Sequence, residues 1–146
     1  MRRFPAGVAV VSVDLGGERV GLTIGTLIPL SLEPPLVGFA VRREAALHEL
    51  LRRAQTFGAS LLASGQESLA QHFARGVPPI ALWNGIAVRE GDGPPLLVGA
   101  IGWLTGRVSA EVAAGEDTFF VGEVVSVEAG VPERPLVYVD RRYLPA

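Results

Sequence analysis

The sequence predicts a mainly β fold, an antiparallel β-barrel carrying one or two α-helices, and three observations carry that reading. Apolar or alternating runs of strand length recur along the whole chain, separated by Gly- and Pro-rich turns. Only two segments show a helical period, too few to cover both faces of a wound parallel sheet. Hydrophobic residues make up 49% of the chain and charged ones 19%, a composition that could not safely leave sheet edges open, and barrel closure removes them.

Each element follows from local pattern. Gly7 to Asp14 is a valine-rich strand, "LGGE" turns the chain at Gly16 and Gly17, and Arg19 to Ile24 returns as the second arm of a hairpin. Leu36 to Val41, "LVGFAV", is a continuous apolar run and so a fully buried strand. Pro34 and Pro35 forbid helix there and remove two ladder donors, which starts that strand after them. The period then changes: over Glu44 to Ala54, Leu47, Leu50, Leu51 and Ala54 fall at i, i+3, i+4 and i+7. Glu44 early and Arg52 and Arg53 late suit the dipole of that helix. Thr56 to Leu62 is a strand, and Gln66 to Arg75 a second short helix burying Leu69, Ala70 and Phe73. Three further strands follow, at Ala100 to Ala113, Thr118 to Glu128 and Leu136 to Asp140. No repeat, linker or low-complexity tract interrupts the 146 residues, so residues 1–146 form a single domain.

Composition excludes several function classes. A formal charge of −2 supplies no electrostatic reason to bind nucleic acid or an anionic membrane. There is no cysteine, hence no disulfide and no thiolate metal site, and a cytoplasmic setting is expected. His48 and His72 stand in no metal-ligand spacing, so no metal site is expected. The N-terminal "MRRFPAGVAVVSVD" superficially resembles a signal peptide, but Pro5, Gly7 and Asp14 break its apolar core, which alternates like a strand. So few charges cover a lone molecule poorly, and a second copy of the chain is expected to cover part of the surface.

Val20 to Val41 passes with one charged side chain, Glu33, while Thr23, Gly25, Thr26 and Ser31 crowd its middle. Read as a loop, Thr23 to Ser31 offers hydroxyls, main-chain N–H groups and a glycine free to adopt positive φ. That suits a planar heterocycle with ring acceptors and a phosphate tail. It equally suits a barrel corner whose glycine and proline only turn the chain.

The order "RFPAGVAVVSV … GLTIGTLIPLSLEPPLVGFAV … LLRRAQTFGASLLASGQESLAQHFA … GEDTFFVGEVV … PLVYVDRRY" resembles the flavin reductase family of FMN-binding split barrels over essentially the whole chain. "GLT" with "SLEPPLV" is the most specific piece. The resemblance implies a mostly antiparallel, Greek-key-like split barrel and a homodimer with flavin sites near the subunit interface. It also implies FMN or FAD as cofactor, NAD(P)H as electron donor, and a separate monooxygenase that receives reduced flavin. By position, Thr23, Ile24, Gly25, Thr26 and Leu27 would line the isoalloxazine ring. Ser31, Arg42, Arg43 and Glu44 would approach the phosphate, and Ala59 and Ser60 would set main chain against the flavin. Phe73 and Arg75 would close over it, and Asp117, Tyr138, Arg141 and Tyr143 would meet the nicotinamide.

Hydride transfer is a matter of positioning and preorganised donors, so no catalytic nucleophile or general base is expected. The residues keep plainer readings open. Arg42 and Arg43 also fit a solvated strand end, Asp117 a turn residue and Tyr138 simple core. The chain departs from the family pattern in places. Ile24-Gly25-Thr26 stands for Ala-Asn-Ser, Ile28-Pro29 for Thr-Ser, Ala45 and Leu47 for hydroxyl residues, and Gly115-Glu116-Asp117 for Gly-Asp-His. An FMN-holding electron carrier without an efficient nicotinamide site, or a dimeric scaffold without cofactor, are the alternatives those departures leave.

Overall fold

Ten strands and three helices make up the computed structural model, which describes residues 1–146 throughout. In chain order these are β1 (Ala6–Gly7), β2 (Ala9–Leu15), β3 (Glu18–Ile24), β4 (Ile28–Leu32), β5 (Pro35–Arg42), α1 (Ala46–Ala54), β6 (Thr56–Leu61), α2 (Glu67–Ala74), α3 (Pro79–Leu82), β7 (Gly102–Ala114), β8 (Asp117–Ala129), β9 (Leu136–Val139) and β10 (Arg142–Pro145). A seven-stranded sheet runs β3-β2-β6-β7-β8-β5-β4, and a three-stranded sheet runs β1-β9-β10, all antiparallel.

The hydrogen-bonded ladder ends at β3 on one side and β4 on the other, so it does not close as the sequence reading expected. The core closes instead. Val20 and Ile24 of β3 share one cluster with Val37, Phe39 and Val41 of β5, and Leu47, Leu50 and Leu51 of α1 pack into that cluster too. Three phenylalanines fill the interior: Phe57 meets Phe39 edge-on at 5.0 Å and Phe39 stacks on Phe120 at 5.9 Å. Gly106 and Gly122 make the room, since a Cβ on either would stand 2.7 Å or 2.5 Å from Phe57 Cζ. A second cluster covers the other face of β2, where Val8 and Val10 pack with Ala70 and Phe73 of α2, Leu82, Leu97 and Leu136.

Strand and helix positions follow the periodicity, with differences that have physical causes. Helix α1 begins at Ala46 rather than Glu44, because Ala45 is extended (φ −72°, ψ 143°) and its N–H closes a turn onto the Arg42 carbonyl at 3.0 Å. The stretch read as loop contains β4, an edge strand in which Pro29 is tolerated because only one side is paired. Strand β5 includes Pro35, whose missing donor is not needed, as pairing with β8 starts at Leu36. Strands β1 and β10 went unread. Both are short and exist by pairing with β9.

Candidate functional site

Two clefts flank the last turn of α2. The first, about 260 Å³, is lined by Ala6, Val8, Thr23, Ile24, Gly25, Ala74, Tyr138 and Tyr143. Strand β9 builds its wall: Tyr138 lies opposite Ala6 of β1 on one side and Tyr143 of β10 on the other. The two tyrosine rings stand 4.9 Å apart at 58°. The second cleft, about 280 Å³, is bounded by Val20 to Leu22 of β3, Glu44 to Leu47 and the Gly76 to Pro79 turn. Phe73 lines the second cleft and Ala74 the first, so α2 divides them. Helix α2 can lie this close because a Cβ on Gly21 would already stand 3.1 Å from the Phe73 ring.

The segment Thr23 to Gly25 reaches the first cleft by its main chain more than by its hydroxyls. Thr23 Oγ1 donates to the Ala70 carbonyl at 2.7 Å, which ties β3 to α2. Thr26 Oγ1 accepts from Ala40 N–H at 3.0 Å and lies 3.2 Å from the Ala40 carbonyl, bridging the split between β3 and β5. The Ile24 side chain is in the barrel core. Gly25 is exposed, and it does not use the positive φ that a glycine is free to adopt. What requires glycine is the close approach of β1: a Cβ there would sit 3.1 Å from that of Ala6. Leu27 turns into a separate apolar hollow of about 170 Å³ beside Leu61 and Ile101.

Several other predicted residues are engaged in the fold or stand at its surface. Ala59 sits on β6 with a neighbour strand on each side, so its main chain is engaged in the sheet. Ser60 is buried and its Oγ accepts from Leu97 N–H at 2.9 Å. Phe73 is core, its ring tilted at 53° and 5.0 Å from that of Trp83, and it reaches only the second cleft. Arg75 is the exposed C-cap of α2, and Ser31 is half-buried on β4. Arg141 turns the β9–β10 hairpin at φ 60°. Sequence reasoning missed Ala6, Val8 and Ala74. The pairing of residue 6 with residue 138 joins the two ends of the chain, and no local signal reports such a contact.

The remaining predicted residues form a charged rim at the β5 and β8 ends. Arg42 lies 3.8 Å from Glu44, 3.5 Å from Glu116 and 3.5 Å from Asp117. Arg43 donates to the Asp117 carbonyl at 3.2 Å and to that of Gly115. Asp117 Oδ1 is buried and accepts no hydrogen bond of good geometry, so its contact with Arg42 is ionic only. Next along β8, Thr118 Oγ1 lies 2.8 Å from His48 Nε2, joining the rim to α1. Asp117 and the tyrosines therefore do not share a cavity within one chain, although they were read together.

Tyr143 is the one group whose protonation is clearly shifted. Burial pushes its phenol above the ordinary 10.0, and Tyr138 beside it adds to the rise. Its hydroxyl therefore stays a hydrogen-bond donor throughout the neutral range.

An uncharged cleft with an aromatic pair on one wall and main chain on the other has the chemistry to receive a flat heteroaromatic ring. This is a small-molecule-binding split barrel. The chain belongs to the family described as "Flavin reductase like domain", which it matches over residues 1–146. It is 42% identical over 143 residues to the reductase component of 4-hydroxyphenylacetate 3-monooxygenase from Thermus thermophilus, covering 98% of this chain and 90% of that protein. It is 36% identical over 147 residues to an NADH-dependent FAD reductase from Streptomyces globisporus, covering 96% and 79%. Among solved structures, the NADH:FAD oxidoreductase SgcE6 of Streptomyces globisporus C-1027 superposes with a TM-score of 0.93 at 32% identity, over 99% of this chain and 87% of that one.

Proposed function

We propose that this protein is an NAD(P)H-dependent flavin reductase that passes reduced FMN or FAD to a separate monooxygenase. The single observation that carries the reading is the uncharged tyrosine-walled cleft at Gly25, in a chain alike over its whole length to proteins named as NADH-dependent flavin reductases and monooxygenase reductase components. A bound flavin would supply the acceptor for the nicotinamide's hydride, the accompanying proton coming from solvent. The chain's own part is to bind and orient. The Thr23 to Gly25 main chain faces the ring edge, Tyr138 and Tyr143 supply the stacking wall, and the neutral Tyr143 hydroxyl donates to a ring or carboxamide oxygen. Asp117 lies outside this cleft, and its role in donor binding passes through its grip on Arg42.

We place the active form as a homodimer in the cytoplasm. Edge strand β4 exposes Ile28, Leu30 and Leu32, and the long β7–β8 hairpin exposes Val112, Val125 and Val127, more apolar surface than a lone molecule needs. No helix is long and apolar enough to cross a membrane, and the chain has no cysteine. An electron carrier without a nicotinamide site is the less favoured reading, since relatives across the whole chain are named as NADH oxidoreductases.

The test is steady-state oxidation of NADH and NADPH with FMN or FAD added, alongside the solution mass. Turnover dependent on both donor and flavin is expected, from a particle of twice the chain mass. No oxidation with either donor would sink the proposal.

A further inference from the structure

We infer that a basic collar at the mouth of the first cleft receives the phosphates of the nicotinamide donor, and that it favours NADPH, with its added 2′-phosphate, over NADH. The inference rests on the flavin reductase reading and deepens it.

Three segments supply the collar. The Asp140 N–H donates to the Arg2 carbonyl at 2.6 Å and Ala6 pairs with Tyr138, so the N-terminal segment lies along the β9–β10 hairpin. That contact gathers Arg2 and Arg3 with Arg141 and Arg142, which directly precede the cleft residue Tyr143. From the other side Arg75 follows the cleft residue Ala74 and caps α2. All five arginines are exposed. Over residues 1–6, 74–76 and 138–145 the only carboxylate side chain is that of Asp140. Five positive charges against one negative leave the collar at net +4, in a chain of net −2.

The state of these arginines sets them apart. Arg19, Arg42, Arg52, Arg89 and Arg107 each stand against a carboxylate. Arg3, Arg75, Arg141 and Arg142 have no acidic partner, and Arg2 has only the 3.8 Å contact with Asp140. A guanidinium without an internal partner keeps its donors for a ligand's phosphate. The cleft walls are uncharged, so the field at the mouth is that of the collar. At the other rim Arg42 is held among Glu44, Glu116 and Asp117, and a phosphate finds little there. With a flavin ring in the cleft, the donor must approach from the open side, which leaves the donor's phosphates at the mouth. A 2′-phosphate adds about 1.5 to 2 negative charges at neutral pH, so the same collar holds NADPH more strongly. Exposed arginines are screened by salt, and the preference is therefore greatest at low ionic strength.

Calorimetric titration of the full chain with 2′,5′-ADP and with 5′-AMP reads the added phosphate without turnover. At about 20 mM salt 2′,5′-ADP is expected to bind roughly five- to tenfold tighter, a gap that closes towards about 0.5 M. The kcat/KM for NADPH should exceed that for NADH by a similar factor. The Arg141→Gln, Arg142→Gln double variant and Arg75→Gln should each remove most of the preference. Arg53→Gln, at an exposed arginine of α1, should leave it intact. Asp140→Asn deletes the one carboxylate at a position of φ 51° that asparagine accepts, and should raise the preference about two- to threefold. Equal binding of 2′,5′-ADP and 5′-AMP, or a higher kcat/KM for NADH at low salt, would overturn the inference. If the arginine variants lose affinity for FMN relative to riboflavin while donor preference stands, the collar serves the flavin tail and the assignment to the donor is wrong. Failure to oxidise either donor defeats the reductase reading beneath, and the calorimetry still decides the collar.

Discussion

Two places in this barrel are built from glycines beside aromatic rings, and they end in opposite states. In the interior, Gly106 and Gly122 give up their side chains so that Phe57 can lie against the sheet, and Phe39 and Phe120 complete a packed, dry core. At the end of β3, Gly25 gives up its side chain to the approach of Ala6, and Tyr138 and Tyr143 lie tilted against each other with open space in front of them. The same residue types produce stability where the ring is wholly enclosed. They leave an open cleft where the rings are enclosed on one side only.

Three perturbations sharpen that contrast. The largest effect is expected inside. Phe57→Ala empties the space under Gly106 and Gly122 and should cost about 3–5 kcal/mol of stability, read as a shift in the denaturant midpoint. Flavin affinity of the remaining folded protein should hardly change, and an equal loss of affinity would mean that core and cleft are one unit. Gly25→Val comes next. The branched side chain must push Ala6 away or fill the cleft mouth, so flavin affinity should fall roughly tenfold, with a midpoint close to that of the parent chain. Undiminished affinity in the folded variant would move the ring elsewhere.

The smallest effect concerns Tyr143 and is seen only in base. Its folded-state pKa is raised by burial and by Tyr138, so the folded protein holds the phenolic proton more tightly than the unfolded chain does. The associated stability is whole below pH 10.0 and is lost as pH climbs from there through the folded value. Tyr143→Phe should flatten that decline above pH 10.0 while leaving neutral stability within a few tenths of a kcal/mol. A variant whose alkaline decline matches that of the parent chain would remove Tyr143 from the cause.

The site was legible in unequal parts. The stretch at Thr23 to Gly25 and the two tyrosines were singled out from the sequence, and the fold brings them to one cleft. The hydroxyls of Thr23 and Thr26 were expected to face a ligand. Instead they satisfy main-chain groups of Ala70 and Ala40, because those partners come from segments remote in sequence. Arg42 and Arg43 were read as phosphate donors on the strength of a following helix. The β7–β8 turn, more than 70 residues away, takes both of them up.

What the chain's sequence determined alone was everything with a local cause. Strand and helix identity came from period, turns from glycine and proline, the absence of a thiol from composition, and the family from the order of its segments. Tertiary structure decided which face of each strand is buried twice, where the ladder stops, and which polar groups are left for a ligand. Those outcomes depend on contacts between residues far apart in the chain. A hydroxyl or a guanidinium carries no mark of whether its partner will be a ligand or another strand.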